Sequence, residues 1–178
     1  RALTRSTPQL KPVIVPGTSR ALYQALETGE LDAAIVVAPP FALSKAFDAV
    51  LLREEALVFI AREHAAQSID SRLQNSPYIQ YDPDAWGGRH ALQYLQDHHL
   101  SPAALLDLDA LETIALLTAE GLGVSLVPCW SGIERWTGSC VVEPVGDERY
   151  DRRIVLLSHA QGPRRRMVGA LQQALLQL

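Results

Sequence analysis

The chain has 178 residues, 48% of them hydrophobic and 20% charged, with a formal net charge of -4. That length suits one medium domain or two small lobes, and it buries roughly 70% of the unfolded surface without a disulfide or metal staple. The acidic balance is poorly suited to neutralising duplex phosphates, no run reaches the ~18 apolar residues of a membrane span, and no signal peptide is legible.

In chain order, residues 1–6 read as the end of a helix closed by Thr7-Pro8, and Pro12-Val13-Ile14-Val15 as a short apolar strand. Pro16-Gly17-Thr18-Ser19 is a turn whose Thr18 or Ser19 can cap the following helix. That helix carries Leu22, Ala25 and Leu26 at one-face spacing and is stopped by Gly29. Residues 31–37 then read as a strand, continuously apolar from Ala33, as expected of a strand covered on both faces. With the strand at 12–15 this makes a β-α-β unit with a right-handed crossover. Strands follow at 47–52 and 57–61, then a polar stretch with one helical turn near Ser71-Arg72-Leu73.

The same grammar restarts at 77. A strand over 77–81 leads through the loop Asp82–Gly88 into a helix over 89–98, and a second strand spans 104–108. Asp109 followed by Glu112 has the spacing of a capping box for a helix over 110–119, with Leu111, Ile114, Ala115 and Thr118 inward. Gly121 and Gly123 stop it, and a strand over 124–127 ends at Pro128. After a loop from Trp130 to Ser139 come strands at 140–143 and 153–157. The closing amphipathic helix, 165–178, aligns Met167, Leu171, Leu175 and Leu178. The basic runs Arg152-Arg153 and Arg164-Arg165-Arg166 read as solvated flanks of a strand and a helix.

Two runs carry a family resemblance. Gly29-Glu30-Leu31-Asp32-Ala33-Ala34-Ile35, preceded by Gly17-Thr18-Ser19 and an amphipathic helix, resembles the effector-binding domain of LysR-type transcriptional regulators. Ala119-Glu120-Gly121-Leu122-Gly123-Val124-Ser125-Leu126-Val127-Pro128 resembles the second hallmark of that domain, and order and spacing fit over nearly the whole chain. The resemblance implies an α/β fold like type 2 periplasmic binding proteins: two Rossmann-like lobes, joined by two crossover segments, with a small molecule held in the cleft. Lobe I would comprise residues 1–65 plus 149–178 and lobe II residues 66–148, with hinge candidates near 62–74 and 142–150. It also implies a cytoplasmic homodimer or tetramer that touches DNA only through an N-terminal winged helix-turn-helix. That domain, the first strand of lobe I and the start of its first helix are expected to precede these residues. The helices at 19–28 and 89–98 are candidates for the contact between copies, through Leu22, Tyr23, Leu26, Leu92, Tyr94 and Leu95.

Ligands of open α/β sheets bind beyond the carboxyl ends of strands, where helix N-termini point. That rule selects Thr18 and Ser19, then Ala38, Pro39 and Phe41, then Asp82 and Trp86, then Leu111 and Glu112, and finally Pro128 and Trp130. Amides at helix starts attract anions, in keeping with the small carboxylates and other metabolites that the resemblance implies as effectors, and Trp86 and Trp130 offer stacking faces to a planar, aromatic ligand. Each residue also has a structural reading: Thr18 and Ser19 as plain caps, Asp82 as a turn residue, Trp86 and Trp130 as packing groups. No catalytic, metal or cofactor set is legible. The five histidines form no cluster, Cys129 and Cys140 are in no metal-like spacing, and no nucleophile-elbow, zinc or phosphate-loop motif occurs. The expectation is therefore a non-enzymatic sensor. The alternative is a solute-binding protein or small enzyme using the same two-lobe fold.

Overall fold

A computed structural model describes residues 12–64 and 66–176; the expected helix end at 1–6 and Leu178 lie outside them. The chain forms two compact units and passes between them twice, at Glu54–Glu55 and at Arg152–Arg153.

The first unit holds α1 (Ser19–Glu27), β1 (Ala33–Val37), most of β2 (Phe47–Glu55) and β8 (Arg152–His159), and α6 (Arg165–Leu175). Its sheet runs β1-β8-β2, with β1 antiparallel to β8 from Ala33 opposite Ser158 to Val37 opposite Ile154. The two-face cover expected of β1 is not found: Ile35, in the middle of the strand, is 46% exposed. α1 buries Tyr23 and Leu26, whereas Leu22 and Ala25 are half-buried. Tyr23 is drawn inward by Phe41 and Phe47, whose ring centroids lie 5.3 and 5.9 Å away. The expected strand at 12–15 does not form: Val13 and Ile14 are each 87% exposed. Pro12 and Pro16 bracket it without an N–H to offer a ladder, and no described strand pairs with it. The β-α-β crossover built on it is withdrawn as well. α6 stops at Leu175 and buries no residue.

The second unit contains β3 (Leu57–Ala61), α2 (Ile69–Asn75), β4 (Tyr78–Tyr81), α3 (Gly88–Asp97), β5 (Ala104–Leu108), α4 (Leu111–Ala119), β6 (Ser125–Pro128), α5 (Glu134–Thr137) and β7 (Val141–Pro144), with a 3-10 turn at Glu148–Tyr150. β3, expected in the first lobe, lies at the centre of this unit's sheet, antiparallel to both β6 and β7. All five of its residues are buried. Alternation sends Leu57, Phe59 and Ala61 into one core cluster, with Leu73, Tyr94 and Tyr150, and Val58 and Ile60 into another, with Tyr81, Ile114 and Val127. This strand, rather than β1, is the continuous apolar run covered twice. β4 and β5 form a parallel pair, and Val124 adds a parallel bridge to Tyr78.

Three local readings change. The turn near 71–73 is a helix of two turns, capped by Ser68, whose hydroxyl accepts from the Ser71 amide at 3.3 Å. Asp109 does not cap α4: the cap position is Ala110, and no side chain bonds the first amides. Pro128 closes β6 from within, opposite Leu57. It needs no donor there, since proline is tolerated at a strand end. Gly29 and Gly121, with φ of 78° and 83°, stop α1 and α4 in the left-handed region, as the sequence indicates.

Candidate functional site

In the first unit, the candidate residues meet where α1 begins and β1 ends. Thr18 caps α1, its hydroxyl oxygen accepting from the Ala21 amide at 3.2 Å. Ser19 does something else: its oxygen accepts from the Val37 amide at 3.1 Å. Successive amides of a strand point to opposite sides. Ala38 N–H goes to Arg153 O at 2.8 Å, so Ser19 takes the neighbouring donor that β8 does not. That bond fastens the helix start to the end of the strand. A hydroxyl that accepts retains one proton to donate. Thr18 and Ser19 thus combine the structural role with a remaining donor. Pro39 is half-buried and Phe41 exposed, the latter resting edge-on against Tyr23.

In the second unit, β4 ends at Tyr81 and the chain turns through Asp82 to Gly87 into α3. Asp82 is a turn residue: its carboxylate accepts from the Asp84 amide at 2.9 Å and its own amide bonds Leu108 O at 2.8 Å. The turn closes so tightly on α3 that a Cβ at Gly88 would lie 1.9 Å from Asp82 O. No side chain caps α3. Trp86 is buried, so it packs rather than presenting a free face, and its carbonyl accepts from Arg89 Nε at 3.1 Å. Leu111 and Trp130 are half-buried against the cluster that contains Tyr81. Glu112 is exposed in the first turn of α4 and Pro128 is buried. The Cys129 amide bonds Ala56 O at 2.7 Å. Burial, then the carboxylates of Glu55 and Glu134, push the Cys129 thiol up, away from nucleophilic use.

Sequence reasoning missed a charged network beside this turn. Arg152 is buried, not a solvated flank. Its guanidinium bonds Glu55 Oε2 through Nη2 and, at 2.7 Å, through Nε; Nη1 reaches the Tyr81 hydroxyl at 3.4 Å. Burial pushes the Tyr81 phenol up, against the opposing pull of Arg152. His90, in the first turn of α3, has a buried Nε2 without a hydrogen-bond partner among the described residues. Burial, with Arg89 and Arg152 nearby, pushes its imidazole down to about 4. The available signal was the pair of doublets Glu54-Glu55 and Arg152-Arg153, complementary in sign. Among the described residues, no group of three or more acids, histidines or cysteines is placed to hold a metal.

The sequence model of the LysR substrate binding domain matches residues 1–178. The chain belongs to that family. This LysR substrate binding domain is 28% identical over 130 residues to the HTH-type transcriptional regulator CfxR of Cupriavidus necator, a match spanning 70% of this chain and 41% of that protein. The chain thus spans less than half the length of that curated relative. Its fold matches the C-terminal domain of a probable LysR family regulator from Rhodococcus sp. RHA1, with TM-score 0.74 and 20% identity over 97% of this chain and 88% of that one. It also matches the BenM effector binding domain with its effector benzoate, at TM-score 0.74 and 19% identity over 98% and 81%. The reduced regulatory domain of OxyR2 from Vibrio vulnificus gives TM-score 0.76 and 19% identity over 98% and 84%. The two-lobe, periplasmic-binding-protein-like α/β architecture expected from sequence is therefore the fold of this domain. No helix among the described residues is long and apolar enough to cross a membrane.

Proposed function

We propose that this LysR substrate binding domain is the ligand-sensing part of a bacterial transcription regulator, with a small carboxylate or aromatic metabolite as effector. The family match over the whole chain carries the reading. The hydroxyls of Thr18 and Ser19, each accepting one bond and keeping a proton to donate at the start of α1, support a polar or anionic group on the ligand. The candidate contacts are Thr18, Ser19, Ala38, Pro39 and Phe41 in the first unit and Asp82, Trp86, Leu111, Glu112, Pro128 and Trp130 in the second. Because Trp86 and Pro128 are buried, they would act through backbone atoms and wall shape. Binding works by population shift, favouring the conformation that holds the ligand better. The regulator acts in the cytoplasm, performs no catalysis, and reaches DNA through a separate N-terminal winged helix-turn-helix.

The full regulator is a homodimer or tetramer. Of the residues named for this contact, Tyr23, Leu26, Tyr94 and Leu95 are buried in their own units, while Leu22 and Leu92 stay partly exposed on the two helices. Exposed apolar side chains lie both on extended segments, Val13, Ile14, Leu105 and Leu106 among them, and on helices, Leu116, Trp136 and Met167 among them. Of these, Leu105 and Leu106 lie on the edge strand β5, where pairing with a second copy would cover them.

A thermal-shift screen of small carboxylates and aromatic acids tests the sensing role. A true effector at 100-fold over its dissociation constant adds roughly 2.7 kcal/mol of stability. A screen in which no compound of either class shifts the midpoint would count against this ligand class.

A further inference from the structure

The two places where the chain passes between units are chemically marked. Two ion pairs link them, each joining one residue of the Glu-Glu pair at the first to one of the Arg-Arg pair at the second. Glu54 with Arg153 forms an exposed bridge, Nε to Oε1 at 2.8 Å. Glu55 with Arg152 forms a buried one, the side chains 0% and 9% exposed. An exposed pair contributes little and its removal is tolerated. A buried pair is costly to break, because the surviving charge keeps its desolvation penalty.

The buried pair does not end at the crossings. Arg152 Nη1 extends to the Tyr81 hydroxyl at 3.4 Å. Tyr81 is the last residue of β4, and its ring folds back over the following turn: a Cβ at Gly87 would lie 2.3 Å from the Tyr81 oxygen. One guanidinium thus touches the residue after the first crossing, itself immediately precedes the second, and contacts the tyrosine whose oxygen lies against the turn that opens α3. The Glu55 carboxylate fixes two of its nitrogens and Tyr81 takes the third, so the planar fork cannot rotate without breaking a bond.

We propose that Glu55, Arg152 and Tyr81 act as one positioning device that sets the stiffness of both crossings and ties it to the turn at 82–88. The regulatory meaning of this device rests on the sensing role proposed above, but its mechanics do not, so it is tested without a ligand.

Amide hydrogen exchange on the whole domain, resolved by segment, reads it directly. Tyr81→Phe keeps the ring and removes only the oxygen. Exchange at residues 53–57, 151–154 and 82–88 should rise roughly tenfold, the loss expected of one bond to a charged group. Segments within β6 and β7 should stay within about twofold. Arg152→Lys, which keeps the charge and loses the fork, should reproduce the pattern, and Glu54→Gln at the exposed pair should not. Unchanged exchange at the crossings in Tyr81→Phe would overturn the proposal. So would acceleration spread evenly over the second unit, which is what a purely structural tyrosine would give. If Arg152→Lys does not fold, the Tyr81→Phe result alone settles the matter. None of these outcomes bears on whether an effector binds.

Discussion

Replacing Gly88 by alanine probes the most constrained point of the candidate site. The added Cβ would stand 1.9 Å from Asp82 O, 2.6 Å from Asp82 C and 2.9 Å from Tyr81 O, all backbone atoms. Ordinary contact for such pairs is about 3.4 Å, so the turn must retreat by well over an ångström, and no rotamer change relieves it. The same retreat would disturb the Asp82–Leu108 bond between the end of β4 and β5. Overpacking costs about 1–3 kcal/mol, and a backbone clash this close belongs at the upper end. With a urea dependence of about 2 kcal/mol per molar, the midpoint should fall by roughly 1.5 M. Gly169→Ala is the internal control: it lies within α6 and its Cβ would meet nothing within 4 Å. There, removing backbone entropy from a helical glycine should stabilise by about 0.5–1 kcal/mol. Urea unfolding followed by circular dichroism measures both. A Gly88→Ala midpoint within about 0.3 M of wild type would refute the close approach of α3 to Asp82.

Three further outcomes follow from the same contacts. Ser19→Ala removes the acceptor for the Val37 amide and should cost about 1 kcal/mol in urea unfolding; a screened carboxylate effector should also bind more weakly to it. His90 stays neutral in the folded domain down to about pH 4, whereas the unfolded chain takes up its proton near 6.5. Stability should therefore be complete above 6.5 and decline as pH falls towards 4, by about 1–2 kcal/mol after allowing for partial exposure. His90→Gln should flatten that window, which lies above the range where a low-held carboxylate such as Asp70 gives up its share; identical slopes in the two proteins would count against a buried neutral imidazole. Leu105→Glu on the exposed strand β5 should weaken self-association in sedimentation velocity while leaving the melting midpoint within a few degrees, since that side chain is 53% exposed.

Much of the fold was legible because its signals are local. Helix starts and stops, such as Thr18 before α1 and Gly121 after α4, are written in the residues themselves. So is the continuous apolar run of β3, although its membership of the second unit depends on pairing with β6 and β7, which local pattern does not encode. The strand expected at 12–15 failed for the same reason: four apolar residues propose a strand, but a ladder requires a partner. Asp109 illustrates competition between caps, where the helix begins one residue later than the capping-box spacing suggested. Of the candidate site, the sequence located the turns but not the use of each side chain. Ser19 serves a strand amide 18 residues away, and Trp86 is buried in its own unit. The Glu55–Arg152–Tyr81 network was invisible because its members are 97 and 71 residues apart and each charged doublet resembles a solvated flank.

The most direct measurement is a hydrogen-exchange footprint of the domain with the strongest ligand from the carboxylate and aromatic screen. Protection is expected at residues 17–19 and 38–41 of the first unit and, at the same ligand concentration, at 82–88, 109–112 and 128–130 of the second. Protection at none of these turns, or only elsewhere in the domain, would contradict the proposed effector-binding role.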